Sequence, residues 1–271
     1  MKTFLFVISI LLTTTAIAIN PHKDYKWTPD SLQLDYENIQ VKTPDNYSLN
    51  VWKILPEEHK NNKTTIILAY GDAGNMSYYL YQVKEFIKSG FTVVMFDYRG
   101  FGKSSSFDIN KSYLYYEEYA TDLISIIKWS KKEMSDNKFG IWAISMGTII
   151  STIAINKESI DFYIAEGTVY NPVEHAKRIQ KQKNKKILLP EGANKLPYYY
   201  KNISPPMLIF SGKTDKITPI EDCNEICNLG ENRKKIEFDG DHMYGFRILT
   251  KKTPGDLYLE EILSFINSYT E

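Results

Sequence analysis

Ser145, Asp215 and His242 are the side chains of this sequence whose types and positions could together break an acyl bond. A serine hydroxyl is a weak nucleophile until a base takes its proton during attack. A histidine can take that proton and return it to the leaving group, while a carboxylate fixes the imidazole tautomer and stabilises its charged form. Ser145 lies in "FGIWAISMGTII" (139–150), where an apolar strand-like run passes through the serine into an apolar helix-like run. Alone, that stretch equally describes a small polar residue where two core elements meet. The sequence holds four histidines. His22 follows the N-terminal leader, His59 lies in the polar "PEEHKNNK", and His175 opens a basic segment. His242, in "EFDGDHMYGF", is the one that follows a strand-like run; the alternative is a surface-loop histidine. Asp215, in "IFSGKTDKITP", follows another such run, unless it is merely a turn residue before Pro219. Glu166, at the end of the preceding run, is the rival acid. Asp241 adjoins His242 and is poorly placed to reach its ring.

The elements that must carry these residues alternate. "YENIQVKT" and "YSLNVWKIL" alternate apolar and polar residues around a Pro-Asp-Asn turn and predict a hairpin. Buried-type strands are predicted at 64–70, 91–97, 138–144, 161–167, 206–212 and 234–240. Helical patterns lie between them at 77–89, 114–132 and 146–155, and the chain closes on a helix over 257–270. Such alternation predicts an α/β fold: a mostly parallel eight-stranded sheet, helices on both faces, and the hairpin as an antiparallel edge. Ligands of parallel sheets bind beyond the carboxyl ends of the strands, where Ser145, Asp215 and His242 fall. One irregular insertion, about 172–200, predicts a short lid. Its first part is basic and helical, and "LPEGANKLPYYY" reads as a loop.

These residues resemble the α/β-hydrolase family over nearly the whole chain beyond the leader. The order Ser, Asp, His is that family's triad order. "DYRGFGKS" (97–104) is similar to its loop after the fourth strand, "SGKTDKITP" to its acid-bearing segment, and "GDH" to its terminal Gly-x-His. "YGDAGN" (70–75) resembles the oxyanion segment of a branch that includes monoacylglycerol-lipase-like, acyl-protein-thioesterase-like and serine-aminopeptidase-like enzymes. The resemblance implies that Ser145, Asp215 and His242 are catalytic and that the backbone N–H groups of Met146 and Asp72 form the oxyanion hole. Two positions depart from the pattern. Tyr70 stands where relatives have His, and Ala143 replaces the first Gly of Gly-x-Ser-x-Gly. Arg99, Gly100 and Gly102 read as structural.

The 271 residues are 43% hydrophobic with a formal net charge of +0, so no overall field favours nucleic acid or an anionic membrane. Residues 1–18 carry the n-region, h-region and Ala16-Ile17-Ala18 site of a secretory signal peptide, and 19–271 form the hydrolase domain. An uncleaved membrane anchor is the alternative. The two cysteines, Cys223 and Cys227, share a helix face and read as thiols buried against the core, although an exported protein permits a bridge. No dinucleotide fingerprint, metal-ligand cluster or phosphate loop appears, so the expected cofactor and metal are none. The lid basics, Lys177 to Lys186, read as a solvated face, with peripheral membrane contact as the sharper option. Ile187, Leu188, Leu189 and Leu196 are expected to meet an acyl chain, and Tyr198–Tyr200 could wall its pocket.

The sequence thus predicts an exported serine hydrolase, without cofactor, cleaving ester or thioester bonds of acyl, lipid-like substrates. The alternatives are an aminopeptidase-type peptidase and a non-catalytic binding protein of the same fold.

Overall fold

In the computed structural model, which describes residues 18–183 and 187–270, the predicted strands assemble into one eight-stranded sheet. They are β1 (Tyr36–Lys42), β2 (Ser48–Ile54), β3 (Thr64–Ala69), β4 (Thr92–Phe96), β5 (Lys138–Ile144), β6 (Phe162–Glu166), β7 (Met207–Gly212) and β8 (Arg233–Phe238). Their order across the sheet is β8-β7-β6-β5-β3-β4-β2-β1. β2 runs antiparallel to both of its neighbours, and every other pairing is parallel. Every residue of β3, β4, β6 and β7 is buried, as strands covered on both faces must be. β1, at one edge, keeps Glu37, Asn38, Gln40 and Lys42 exposed, and β8 closes the other edge half-buried.

Helices α1 (Leu80–Lys88), α2 (Tyr116–Glu133), α3 (Met146–Ile155), α4 (Pro172–Lys183), α5 (Leu196–Lys201), α6 (Ile220–Cys227), α7 (Gly245–Ile248) and α8 (Asp256–Thr270) complete the chain. Side-chain alternation along β5 sorts them. Trp142 points to one face, where it packs on Phe86 of α1 and donates its indole N–H to the Tyr258 hydroxyl of α8 at 3.0 Å. The opposite face carries Tyr163 of β6, whose hydroxyl donates to the Thr148 carbonyl of α3 at 3.0 Å. α3 is buried along its whole length, between the sheet and α2.

The 189–200 segment differs from the predicted loop. A 3₁₀ turn at Ala193–Lys195 leads into α5, because Pro197 sits near the helix start, where its missing N–H costs nothing. Leu196 and Tyr200, four apart, then bury one face of that turn. The cysteines also differ in part: Cys223 is buried and Cys227 half-buried, and both are free thiols. Apart from Ala18, the predicted leader lies outside the described residues, as do Lys185 and Lys186 of the lid. No helix among the described residues is long and apolar enough to cross a membrane.

Candidate active site

Ser145 is held between β5 and α3 with φ 54° and ψ −119°, a backbone conformation that L-residues seldom adopt. Its N–H donates to the Glu166 carbonyl at 2.9 Å, and its own carbonyl receives the Thr148 N–H at 2.8 Å and the Thr148 hydroxyl at 2.7 Å. The turn is tight enough that a Cβ on Gly147 would lie 1.9 Å from the Ala69 carbonyl oxygen. Ala143 meets no such limit. It pairs with Ala69 and Ala165 on flanking strands, both small, so alanine serves in place of glycine.

The structure brings Ser145, His242 and Asp215 together from the ends of β5, β8 and β7. His242 Nε2 lies 3.0 Å from Ser145 Oγ, and its Nδ1 lies 2.7 Å from Asp215 Oδ2. Burial opposes charge on Asp215, but the hydrogen bond and charge of His242, with the Thr218 hydroxyl and N–H, outweigh it and hold the carboxyl below its ordinary range. Glu166, the rival acid, is turned elsewhere. It accepts the Gly245 N–H at 2.6 Å and bonds to Tyr258, and burial pushes its carboxyl up to about 7.

Two contributors escaped the sequence reading. Thr218 donates its hydroxyl to Asp215 Oδ2 at 2.5 Å and sits 3.0 Å from His242 Nδ1. Gly167, with φ +67°, makes room for the imidazole, because a Cβ there would fall 2.8 Å from His242 Cε1. Asp215 leads an Asx turn, its Oδ1 accepting the Ile217 and Thr218 N–H groups, which brings Thr218 back to the carboxylate; nothing in the sequence singles out Gly167.

Met146 is the first residue of α3, where N–H groups have no partner within the helix. Asp72 belongs to the loop after β3, which reaches Ser145: a Cβ on Gly71 would be 3.6 Å from Ser145 Cβ. The Asp72 carbonyl receives the Asn20 N–H at 2.8 Å, so the segment Asn20–Pro21, paired in parallel with Ala73–Gly74, braces this loop. Tyr70 does not enter the site. Its ring packs on Tyr98 and its hydroxyl donates to Asp97 Oδ1 at 3.3 Å. Asp97 also accepts the Met76 and Lys103 N–H groups and so ties the loops after β3 and β4 together. Arg99, fully buried, bridges Asp122 and Asp45, the second of which lies in the hairpin turn.

A cavity of about 190 Å³ opens beside Ser145 and is also lined by Asp72, Met146 and His242. Its remaining walls are largely apolar: Leu114, Ile149, Val169, Ile179, Ile187 and Ile217, together with Ala18 and Met243. The lid contributes Ile179, Ile187 and the buried His175. The other expected lid contacts are absent from the lining. Leu188 instead pairs its backbone with Ser112 and Leu114, and Leu196 is buried in the core. Tyr200 is buried and Tyr198 exposed; neither they nor Tyr199 line this cavity. Lys177 pairs with Glu174 and Arg178 with Asp222. His22 bonds to Tyr78 and His59 is exposed beside Glu57, both away from the cavity. No group of three His, Cys, Asp or Glu among the described residues is arranged to hold a metal ion.

Comparison with known proteins agrees with this architecture. Residues 60–190 match the family model described as serine aminopeptidase, S33. The uncharacterized protein YfhR of Escherichia coli (strain K12) is 28% identical over 243 residues, spanning 86% of this chain and 81% of that protein. The lysophosphatidylserine lipase ABHD12 of Mus musculus is 25% identical over 140 residues, 44% of this chain and 33% of that one. The esterase Pf2001 of Pyrococcus furiosus superposes with a TM-score of 0.76 at 20% identity, covering 95% of this chain and 100% of that one, a likeness of fold. Sheet order, helix placement and these matches together show that the chain has the α/β-hydrolase fold.

Proposed function

We propose that the chain is an exported serine hydrolase that cleaves ester or thioester bonds of acyl, lipid-like substrates through an acyl-Ser145 intermediate. The observation that carries this reading is the relay from Asp215 through His242 to Ser145 Oγ, opening onto an apolar cavity. In this mechanism His242 Nε2 accepts the Ser145 proton as Oγ attacks the acyl carbonyl. Asp215 holds the other ring nitrogen as the donor and stabilises the imidazolium. The N–H groups of Met146 and Asp72 would meet the oxyanion, each such donor being worth roughly 3 kcal/mol of barrier. His242 then protonates the leaving group, and water, deprotonated by the same ring, releases the acyl chain. Residues 1–18 would be the removed leader, which takes Ala18 out of the cavity lining and leaves Ile19 as the first residue.

The wall of Ile149, Ile179 and Ile187 supports an acyl rather than a polar occupant, since each buried CH₂ is worth about 0.8 kcal/mol. A panel of p-nitrophenyl esters tests this. kcat/KM should rise from acetate to at least hexanoate, by about three- to fourfold per methylene. The serine aminopeptidase description of the matching model favours a second reading, a peptidase. Aminoacyl p-nitroanilides turned over far faster than the esters would select it, and preference for acetate would reject the acyl pocket.

A further inference from the structure

Among the walls of this cavity, the lid supplies one polar side chain whose hydrogen-bonding capacity is half used. His175 of α4 is 8% exposed and lines the cavity together with Ser145 and His242. Its Nδ1 lies 3.0 Å from the Ile217 carbonyl oxygen. A carbonyl can only accept, so Nδ1 must carry a proton and donate it. In the neutral ring Nε2 is then an acceptor, and among the described residues no hydrogen-bond partner reaches it. Burial keeps the ring neutral, holding its pKa down to about 4, and the neighbouring Arg178 and His242 push the same way. At the wall of the cavity that acceptor is open to a ligand, whose hydroxyl can donate to it in place of solvent.

We propose that His175 Nε2 accepts a hydrogen bond from a hydroxyl group of the substrate, making His175 a specificity residue that selects hydroxylated acyl esters over their deoxy counterparts. The proposal rests on the hydrolase reading above and narrows its substrate class. His175 has a docking role as well: its Nδ1 bond and that of Gln182 to the Lys216 carbonyl pin α4 to the loop that carries Asp215, while Arg178 ties α4 to Asp222 of α6. The two roles use different nitrogens and can be separated. Asparagine reproduces the Nδ1 donor and lacks the Nε2 acceptor, whereas glutamine carries an acceptor out to where Nε2 stands.

The test compares two substrate pairs, because the hydroxyl could sit in either half of the ester. One pair is 2,3-dihydroxypropyl hexanoate against propyl hexanoate, and the other is p-nitrophenyl 6-hydroxyhexanoate against p-nitrophenyl hexanoate. In one pair the unsubstituted protein should favour the hydroxylated member in kcat/KM by roughly three- to tenfold, the range of a single neutral hydrogen bond, with the difference carried by KM. The ratio should fall to about one in His175→Asn and recover in His175→Gln. Equal kcat/KM within both pairs in the unsubstituted protein, a comparison that needs no variant, overturns the proposal. So does a preference that survives in His175→Asn. Turnover of none of the four esters would instead remove the hydrolase reading and this inference with it.

Discussion

Replacing Asp215 by asparagine should disable the site without unfolding it, and the reason is a conflict of donors. Asp215 Oδ1 accepts the N–H groups of Ile217 at 2.8 Å and Thr218 at 2.9 Å. Oδ2 accepts the Thr218 hydroxyl and faces His242 Nδ1. In Asp215→Asn the amide oxygen must stay with the two backbone donors, since an NH₂ group cannot face them. Nδ2 is then aimed at His242 Nδ1 and forces that nitrogen to accept. The ring proton moves to Nε2, which donates towards Ser145 Oγ and can no longer take its proton. In the type case of this triad the same change lowers kcat about 10⁴-fold, roughly 5.4 kcal/mol of barrier. Initial rates with p-nitrophenyl hexanoate measure the loss, and unfolding by urea checks that the fold is kept. Glu166→Gln should cost far less, because Glu166 is bonded to Gly245 and Tyr258 rather than to the His242 ring. An Asp215→Asn variant within tenfold of the parent, or a larger loss in Glu166→Gln, would refute the reasoning.

Glu166→Gln should also change how stability depends on pH. Burial raises the native carboxyl from 4.5 to about 7, so between those values the native state holds a proton that the unfolded chain has lost. Parent stability therefore falls as pH rises through that window, and the glutamine variant escapes the loss. Relative to the parent, the variant should gain on the order of 3 kcal/mol from pH 4.5 to 7 in urea titrations, and a difference independent of pH would count against the buried charge. Gly167→Ala should displace His242, since φ +67° and a Cβ 2.8 Å from Cε1 cannot both be accommodated. We expect kcat to fall about 100-fold, the scale of a displacement of about 1 Å, and unchanged kcat would show that the ring has other room.

The sheet was legible because its central strands are continuous apolar β-branched runs, each separated from the next by a helical stripe such as Tyr119, Leu123, Ile126 and Ile127. The positions of Ser145, Asp215 and His242 were legible because parallel strands deliver their carboxyl ends to one edge. What stayed hidden depends on side-chain direction. Glu166 and Asp215 both end strands, and only the structure shows Glu166 committed to Gly245. Leu188 and Ile187 are adjacent and equally apolar, yet Ile187 faces the cavity while Leu188 serves a backbone pairing with Ser112 and Leu114. Tyr70 looked like an intruder in the oxyanion loop, but its hydroxyl reaches Asp97 in the core. The segment 189–200 combined Gly, Pro and polar residues, which signal a loop, with a Leu196–Tyr200 pair that only tertiary burial could reward. His175 read only as the residue that opens a basic lid segment, and the structure turns it inward while Lys177 and Lys181 stay exposed.

The central claim is that Ser145 Oγ, activated by His242, is the nucleophile. Incubation with a fluorophosphonate followed by peptide mass spectrometry tests it directly. One phosphonyl adduct per chain should appear on the peptide containing Ser145, and the Ser145→Ala variant should take up none while remaining folded. An adduct on another residue, or equal labelling of the Ser145→Ala variant, would contradict the account.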